Sequence, residues 1–430
     1  MTEQEYGTVS LGHRQERVPT NTERLTDPTA AVRPRAGIML SVAAVLVVAT
    51  NLRPAITAVG PVLEMIGSDT GLDAGGLGLL GAVPLLAFAA VSPLVHLLTR
   101  RIGAERAVFY ALLVLIFGTV LRSLPGWSGN LWLGTAILGA SVAVCNVIVP
   151  AIVKRDFPHH VPLLTGAYSA VLTGFAALAS GIAHPIAVRT GWPLALGIWA
   201  GLSVIAALCW IPRLRHAARA AAGRRTTRSG STRPTMWTSA TAWQVTLFMG
   251  FQSTTFFLLI TWLPTIEASY GISPAVAGWH LFLLQVAGMM GGIGVTAFMR
   301  GRTDQRAVAA AISLLMIVAM IGILTVPSMM VGWAIAAGLS TGSALVVALT
   351  LVAQRARTPR DAGRLSGMVQ GVGYLIAAAG PAGAGLLFEA TGSWRAPIVM
   401  IIAIAAAQLI IGLYAGRDRF THAESLSVAG

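Results

Sequence analysis

Charge is scarce in this chain. Only 11% of its 430 residues are Asp, Glu, Lys or Arg, against roughly 25% in a soluble globular protein. That is too little to cover a water-facing surface, so a soluble enzyme is excluded. Lysine is scarcer still: Lys154 stands alone, and arginine carries the rest of the positive charge. Since that lysine belongs to no G-x-x-x-x-G-K-[ST] loop, the phosphate cradle of an ATP-driven machine is missing. The two cysteines, Cys145 and Cys209, lie inside apolar runs and read as small buried hydrophobes. The eight His are scattered without zinc-ligand spacing, so no metal and no other cofactor is expected. Energy for any work has to come from a gradient.

What the chain has is apolar length. Hydrophobic residues make up 55% of it, and the mean hydropathy is +0.73. Twelve apolar stretches, near 38–66, 72–98, 105–123, 130–153, 162–188, 193–212, 240–264, 272–299, 306–326, 331–354, 365–389 and 396–416, are each separated by Gly, Pro or charge. As helices, all are long enough for a hydrocarbon core of ~30 Å. The first 37 residues are polar and carry five Arg, without the apolar core and cleavage site of a signal peptide. They are expected to form a cytoplasmic tail.

With the amino terminus inside, the inward-facing segments and adjoining span ends hold 26 of the 30 basic residues, and the outward side holds Arg122, Arg189 and Arg395. That bias places both termini in the cytoplasm of a multi-pass cell-membrane protein. The net charge of +14 then needs no nucleic-acid partner, because an Arg-rich rim suits anionic headgroups of the bilayer. The expected organisation is a tail at 1–37, a six-helix bundle at 38–212, a basic cytoplasmic linker at 213–239, a second bundle at 240–416 and a tail at 417–430. The chain is expected to act as a monomer.

The two halves repeat. Arg100 with Glu105-Arg106-Ala107-Val108 recurs as Arg300 with Gln305-Arg306-Ala307-Val308, and Lys154, Pro158, Gly166 and Thr190-Gly191 recur as Arg355, Pro359, Gly367 and Thr391-Gly392. Six spans per copy is an even number, so both copies enter the membrane in the same orientation, related by an axis along the membrane normal. The fold class expected is an all-α membrane protein of twelve transmembrane helices in two parallel six-helix repeats.

Certain segments also carry a family likeness. Asn51-Leu52-Arg53-Pro54-Ala55-Ile56 is the most specific. Asn146-Val147-Ile148-Val149-Pro150, Lys154-Arg155-Asp156-Phe157-Pro158 and Trp262-Leu263-Pro264 support it. On these the chain resembles the cyanate and 2-nitroimidazole transporter branch of the major facilitator superfamily, whose halves are the standard instance of the symmetry above. The resemblance implies the major facilitator fold and narrows the solute to a cyanate-like or nitroimidazole-like one. The chain departs from the superfamily's G-x-x-x-D-R-x-G-R loop, where Arg100 stands in place of the acidic residue. The G-P-x-x-G signature of drug exporters is missing from span five and is echoed by Gly380-Pro381-Ala382-Gly383 in span eleven.

Arg53 carries the strongest functional signal. It falls about 15 residues into a 29-residue span, at a depth where a permanent charge is costly unless it meets a partner or a water-filled cavity. Helical spacing aligns Thr50, Arg53, Thr57, Gly60 and Glu64 on one stripe, and Pro54 and Pro61 should bend the span. Arg53 reads as an anion anchor or as a staple on the freed carbonyls of Thr50 and Thr57. Gln252, 199 residues on, is the expected second hand from the other bundle. Asn51, Thr57, Asn146, Gln285, Tyr374 and Trp262 complete the candidate substrate-binding set, with Trp262 as apolar wall or lid. Tyr168, Thr173, His184, His280 and Gln370 are further polar residues in apolar runs that suit hydrogen bonds between helices.

The expected function is secondary transport, by alternating access, of a small anion or polar heteroaromatic solute anchored on Arg53. Every Asp and Glu reads as lying in a loop, a tail or a span end, so a coupled proton is a partner without an obvious carrier. Efflux of xenobiotics is the alternative, followed by a receptor that binds without transport.

Overall fold

The computed structural model describes residues 35–124, 126–158, 160–220 and 236–421. Most of both expected tails, and 221–235 of the expected linker, lie outside the described residues. From Val42 onward the described residues form one compact unit.

Among the described residues the regular structure is helical, and twelve helices are long and apolar enough to cross a membrane. In chain order they are α1 Met39–Thr70, α2 Ala74–Ile102, α3 Ala104–Arg122, α4 Gly129–Asp156, α5 Leu163–Thr190, α6 Trp192–Arg215, α7 Ala240–Ser269, α8 Pro274–Met299, α9 Arg306–Thr325, α10 Pro327–Arg355, α11 Asp361–Thr391 and α12 Arg395–Ala415. Several start on side-chain caps that satisfy orphan backbone N–H groups. Asp73 accepts from Gly76, Ser239 from Ala242, Ser273 from Val276 and Thr358 from Asp361. Leu113, Phe117, Ile293, Phe298, Val318, Leu349, Leu386 and Ile410 stay exposed. Such an apolar belt is a liability in water and the natural surface against lipid tails.

The first span is not the single bent helix that its length suggests. A helix Arg35–Ala49 gives way to a one-turn helix Pro54–Thr57, a 3-10 turn Gly60–Val62 and a helix Leu63–Thr70. Pro54 and Pro61 each remove a donor from the ladder. The amides of Asn51 and Leu52 fall back to i−3 bonds on Val48 and Ala49, at 3.0 and 3.3 Å. The span ends at Gly71, whose φ of 71° suits glycine and whose N–H reaches the Gly67 carbonyl at 2.9 Å.

The two halves meet along α2 with α11 and α5 with α8. Here small residues decide how closely backbones approach. A Cβ at Gly78 would collide with the Pro381 carbonyl, one at Gly385 with the Ala74 carbonyl, one at Gly60 with the Ile260 carbonyl, and one at Gly278 would meet the Ser180 carbonyl at 3.0 Å. All of these contacts lie in the half of the bundle remote from the 213–239 segment. A Glu389 carboxylate oxygen also accepts from the Gly75 N–H there, joining α11 to the start of α2.

The other half is open. A Cβ at Gly166, Gly174, Gly363 or Gly367 would meet nothing within 4 Å. A cavity of about 1430 Å³ enters at this end between α2, α4, α11 and Met236–Trp237, with His96 and Arg364 in its wall. This end carries most of the basic residues of the described spans. Arg155 pairs with Glu105 and Asp156, and Arg213 pairs with Asp156, so Glu105 supplies an acidic partner near the loop where Arg100 replaces one. The repeat-related Arg355 is 1% exposed and holds the carbonyls of Thr303, Ala415 and Gly416.

In the loop before α9, the Arg306 guanidinium hydrogen-bonds Asp304 and holds its carboxyl below the usual carboxylate range. The contribution of that pair is present above the unfolded pKa of about 3.9 and is lost as pH falls through the lower folded value. Because both groups are exposed, Asp304→Asn is expected to shift stability at pH 7 by no more than about 0.5 kcal/mol in thermal unfolding.

Candidate functional site

Arg53 sits at the break in α1, as the residue that caps Pro54–Thr57. Its guanidinium carbon lies 4.8 Å from the ring centre of Phe256 on α7, so the first and seventh spans, from opposite halves, meet in a cation–π contact. The rings of Tyr168 and Tyr374 are within electrostatic reach of it. Phe256 stands edge-on to Phe257 at 5.2 Å, Phe257 to Tyr374 at 6.4 Å, and Tyr374 to Phe88 at 5.2 Å. Four helices, α1, α2, α7 and α11, thus contribute to one aromatic cluster around a cation. Leu86, Ala89 and Leu375, neighbours in sequence of Phe88 and Tyr374, line the large cavity.

The guanidinium of Arg53 makes no hydrogen bond or ion pair among the described residues. The carbonyl freed by Pro61 is taken by Ser180, whose Oγ donates to Thr57 at 3.2 Å. The Arg53 donors are thus unclaimed among the described residues, and an anion or a nitro group can use such donors.

The other expected residues divide by what they already bond. Asn51 is 4% exposed and fully used: Nδ2 donates to the carbonyl of Val47 and the hydroxyl of Thr50, and Oδ1 accepts from Ser203 on α6 at 2.8 Å. Thr57 donates to the Ala176 carbonyl on α5 at 3.0 Å. Gln285 reaches from α8 across to α5, donating to Ser180 Oγ at 2.7 Å and the Ala176 carbonyl at 3.2 Å. Trp262 is 1% exposed, donates to the Pro381 carbonyl at 2.9 Å and packs on Trp394. These four join helices.

Gln252 is 4% exposed and donates to Ser253 Oγ at 2.8 Å and to Met249 Sδ, so its amide is turned into its own helix. Phe256, one turn further along α7, is the residue against Arg53. Asn146 is half-buried with no hydrogen bond among the described residues. Glu64 is exposed at the closed end and shares no continuous stripe with Arg53. Asn51→Ala would leave Ser203 without its side-chain acceptor. It is expected to lower the unfolding free energy by about 1–2 kcal/mol, read as a lower melting temperature in detergent.

Residues 44–329 match the model of the Major Facilitator Superfamily. The chain belongs to that superfamily. It is 39% identical over 379 residues to a 2-nitroimidazole transporter of Escherichia coli (strain K12), covering 88% of this chain and 95% of that one. It is 26% identical over 351 residues to the cyanate transport protein CynX of the same organism, covering 81% and 90%. In three dimensions it is similar, at a TM-score of 0.70 and 16% identity over 89% of this chain and 98% of the other, to a bacterial homolog of the human lysosomal transporter Spinster, crystallised inward-facing and unoccupied. As a member of the superfamily it is a multi-pass membrane transporter of a small-molecule substrate, not an enzyme, and its branch is that of the cyanate and 2-nitroimidazole transporters.

Two charged groups of this transporter escape a reading by position. Glu267, near the end of α7, is 0% exposed, and its Oε2 lies 2.8 Å from His280 Nδ1 on α8. Arg122, at the end of α3, is 1% exposed. A span end is usually where a long side chain snorkels out to water, so only packing reveals that both turn inward.

Proposed function

We propose that this transporter moves a small anion or strongly dipolar heteroaromatic, cyanate-like or nitroimidazole-like, by alternating access of its two six-helix halves around Arg53. The observation that carries the reading is the Arg53 guanidinium, without an acidic or hydrogen-bonding partner among the described residues and seated on Phe256 of the opposite half. A lone positive charge there favours a negative or electron-rich group and disfavours a cation. The aromatic rings beside it suit a flat heterocycle. The named substrates of the two relatives are of this kind.

The cavity opens at the end that carries the basic rim, so with both termini in the cytoplasm the conformation is inward-facing. The buried Glu267–His280 pair is the candidate carrier of a coupled proton. Glu267→Gln is expected to keep counterflow while losing pH-driven accumulation. Accumulation unchanged by the substitution would remove the pair from coupling.

The deciding experiment is counterflow in proteoliposomes with a panel of small monoanions, neutral nitroheterocycles and cationic dyes. Exchange of the first two classes and not the third supports the reading. Exchange of dyes alone would replace it with xenobiotic efflux, for which the aromatic cluster of Phe88, Phe256, Phe257 and Tyr374 would be the binding surface.

A further inference from the structure

We infer that Arg122 and the cavity beside it form a second anion site, sized for a single halide ion and independent of Arg53. The guanidinium turns inward from the end of α3, and its Nη1 donates to the Ala55 carbonyl at 2.6 Å. That carbonyl is open to it because the break in α1 sends the Val59 amide to Ile56, at 3.3 Å. Nε and Nη2 are closed to solvent and have no partner among the described residues. These two nitrogens form one edge of the guanidinium, the side-on fork that grips an anion with two parallel N–H donors.

The cavity that Arg122 helps to wall has the right character. A cavity of about 20 Å³, bounded by Ala55, Ile56, Pro84, Leu131, Thr135 and Thr261 among others, includes Arg122 in its wall and no acidic residue. Roughly 10–15 Å³ on this measure admits one water-sized particle, so the space takes one small ion and excludes organic solutes. Thr135 and Thr261 donate their hydroxyl protons to Leu131 and Phe257 in their own helices, which leaves the fork as the source of donors. Among the described residues no carboxylate pairs with Arg122. A buried permanent cation with two idle donors is strongly unfavourable, and a resident monoanion removes both penalties at once.

Gly134 fits this arrangement, since a Cβ there would strike the Arg122 backbone. Thr261 belongs to α7 of the opposite half, so one wall of the site comes from the other bundle. The ion would brace the broken first span two residues from Arg53.

The test is chloride binding by the purified full-length transporter, with gluconate replacing chloride at constant ionic strength. Radiolabelled chloride should bind at about one per chain, and chloride should raise the melting temperature saturably. Arg53→Gln should retain both effects, whereas Arg122→Lys, which keeps the charge but loses the fork, should weaken binding at least tenfold. Should Arg122→Lys not fold, crystals of the wild type grown in bromide decide: an anomalous peak against Nε and Nη2 supports the site. Its absence, chloride binding below one-tenth per chain, or binding lost in Arg53→Gln instead would overturn it and leave water in the cavity.

Discussion

Arg53→Gln is expected to lower anion counterflow by about 10- to 100-fold at subsaturating substrate while leaving folding intact. The scale follows from the bonds at stake. A hydrogen bond to a charged group contributes about 1.5–3 kcal/mol, and every 1.4 kcal/mol is tenfold in affinity. Glutamine still donates, so what disappears is the charge. Arg53→Lys separates charge from shape. Lysine keeps the charge and loses the planar fork, so a residual activity above that of the glutamine variant is expected for an inorganic monoanion. Phe256→Leu removes a cation–π contact of about 0.5–2 kcal/mol, roughly 2- to 30-fold, without touching the donors. A glutamine variant that transports like the wild type would show Arg53 to be structural and sink the anchor reading.

The twelve spans were legible because bilayer thickness sets helix length and the arginines mark one rim. The ends were less so. The first span was expected to stop near 66 and runs to Thr70, because Ser68 and Thr70 return their hydroxyls to carbonyls of the preceding turn and only Gly71 supplies the left-handed stop. The repeat sets depth along the membrane normal only to within about one helical turn, ~5.4 Å. That is why Gln252 was the expected counterpart of Arg53, when Phe256 one turn away makes the contact. Pro54 and Pro61 announced a bend. Whether it would become a break depends on outside partners for the freed carbonyls, and those come from Arg122 and Ser180, 67 and 123 residues away. Asn51, Thr57 and Gln285 are polar groups in apolar runs, which is equally the signature of helix-joining hydrogen bonds. A sequence cannot separate the two uses, since the partners Ser203, Ala176 and Ser180 lie on other helices.

Gly78→Val is expected to shift the transporter away from the conformation described here and to slow counterflow at least tenfold. In this state the remote end is closed by backbone meeting backbone, with Gly78 under Pro381 and Gly385 under Ala74. A valine has no flexible side chain opposite it to displace. Overpacking of that kind costs about 1–3 kcal/mol, which shifts a two-state equilibrium roughly 5- to 150-fold. The penalty falls only on the state in which α2 and α11 touch at this point, because a state open at the remote end separates them. Spin labels at Ser68 on α1 and Thr391 on α11, both exposed at that end, should therefore report a longer distance in Gly78→Val than in the parent. Gly367→Ala is the internal control. It lies on the same helix as Pro381 but faces open space, so its added methyl should leave both distance and rate unchanged. If the two variants behave alike, the glycine contacts are not the closed gate and motion of the halves about α2 and α11 is not the transport step.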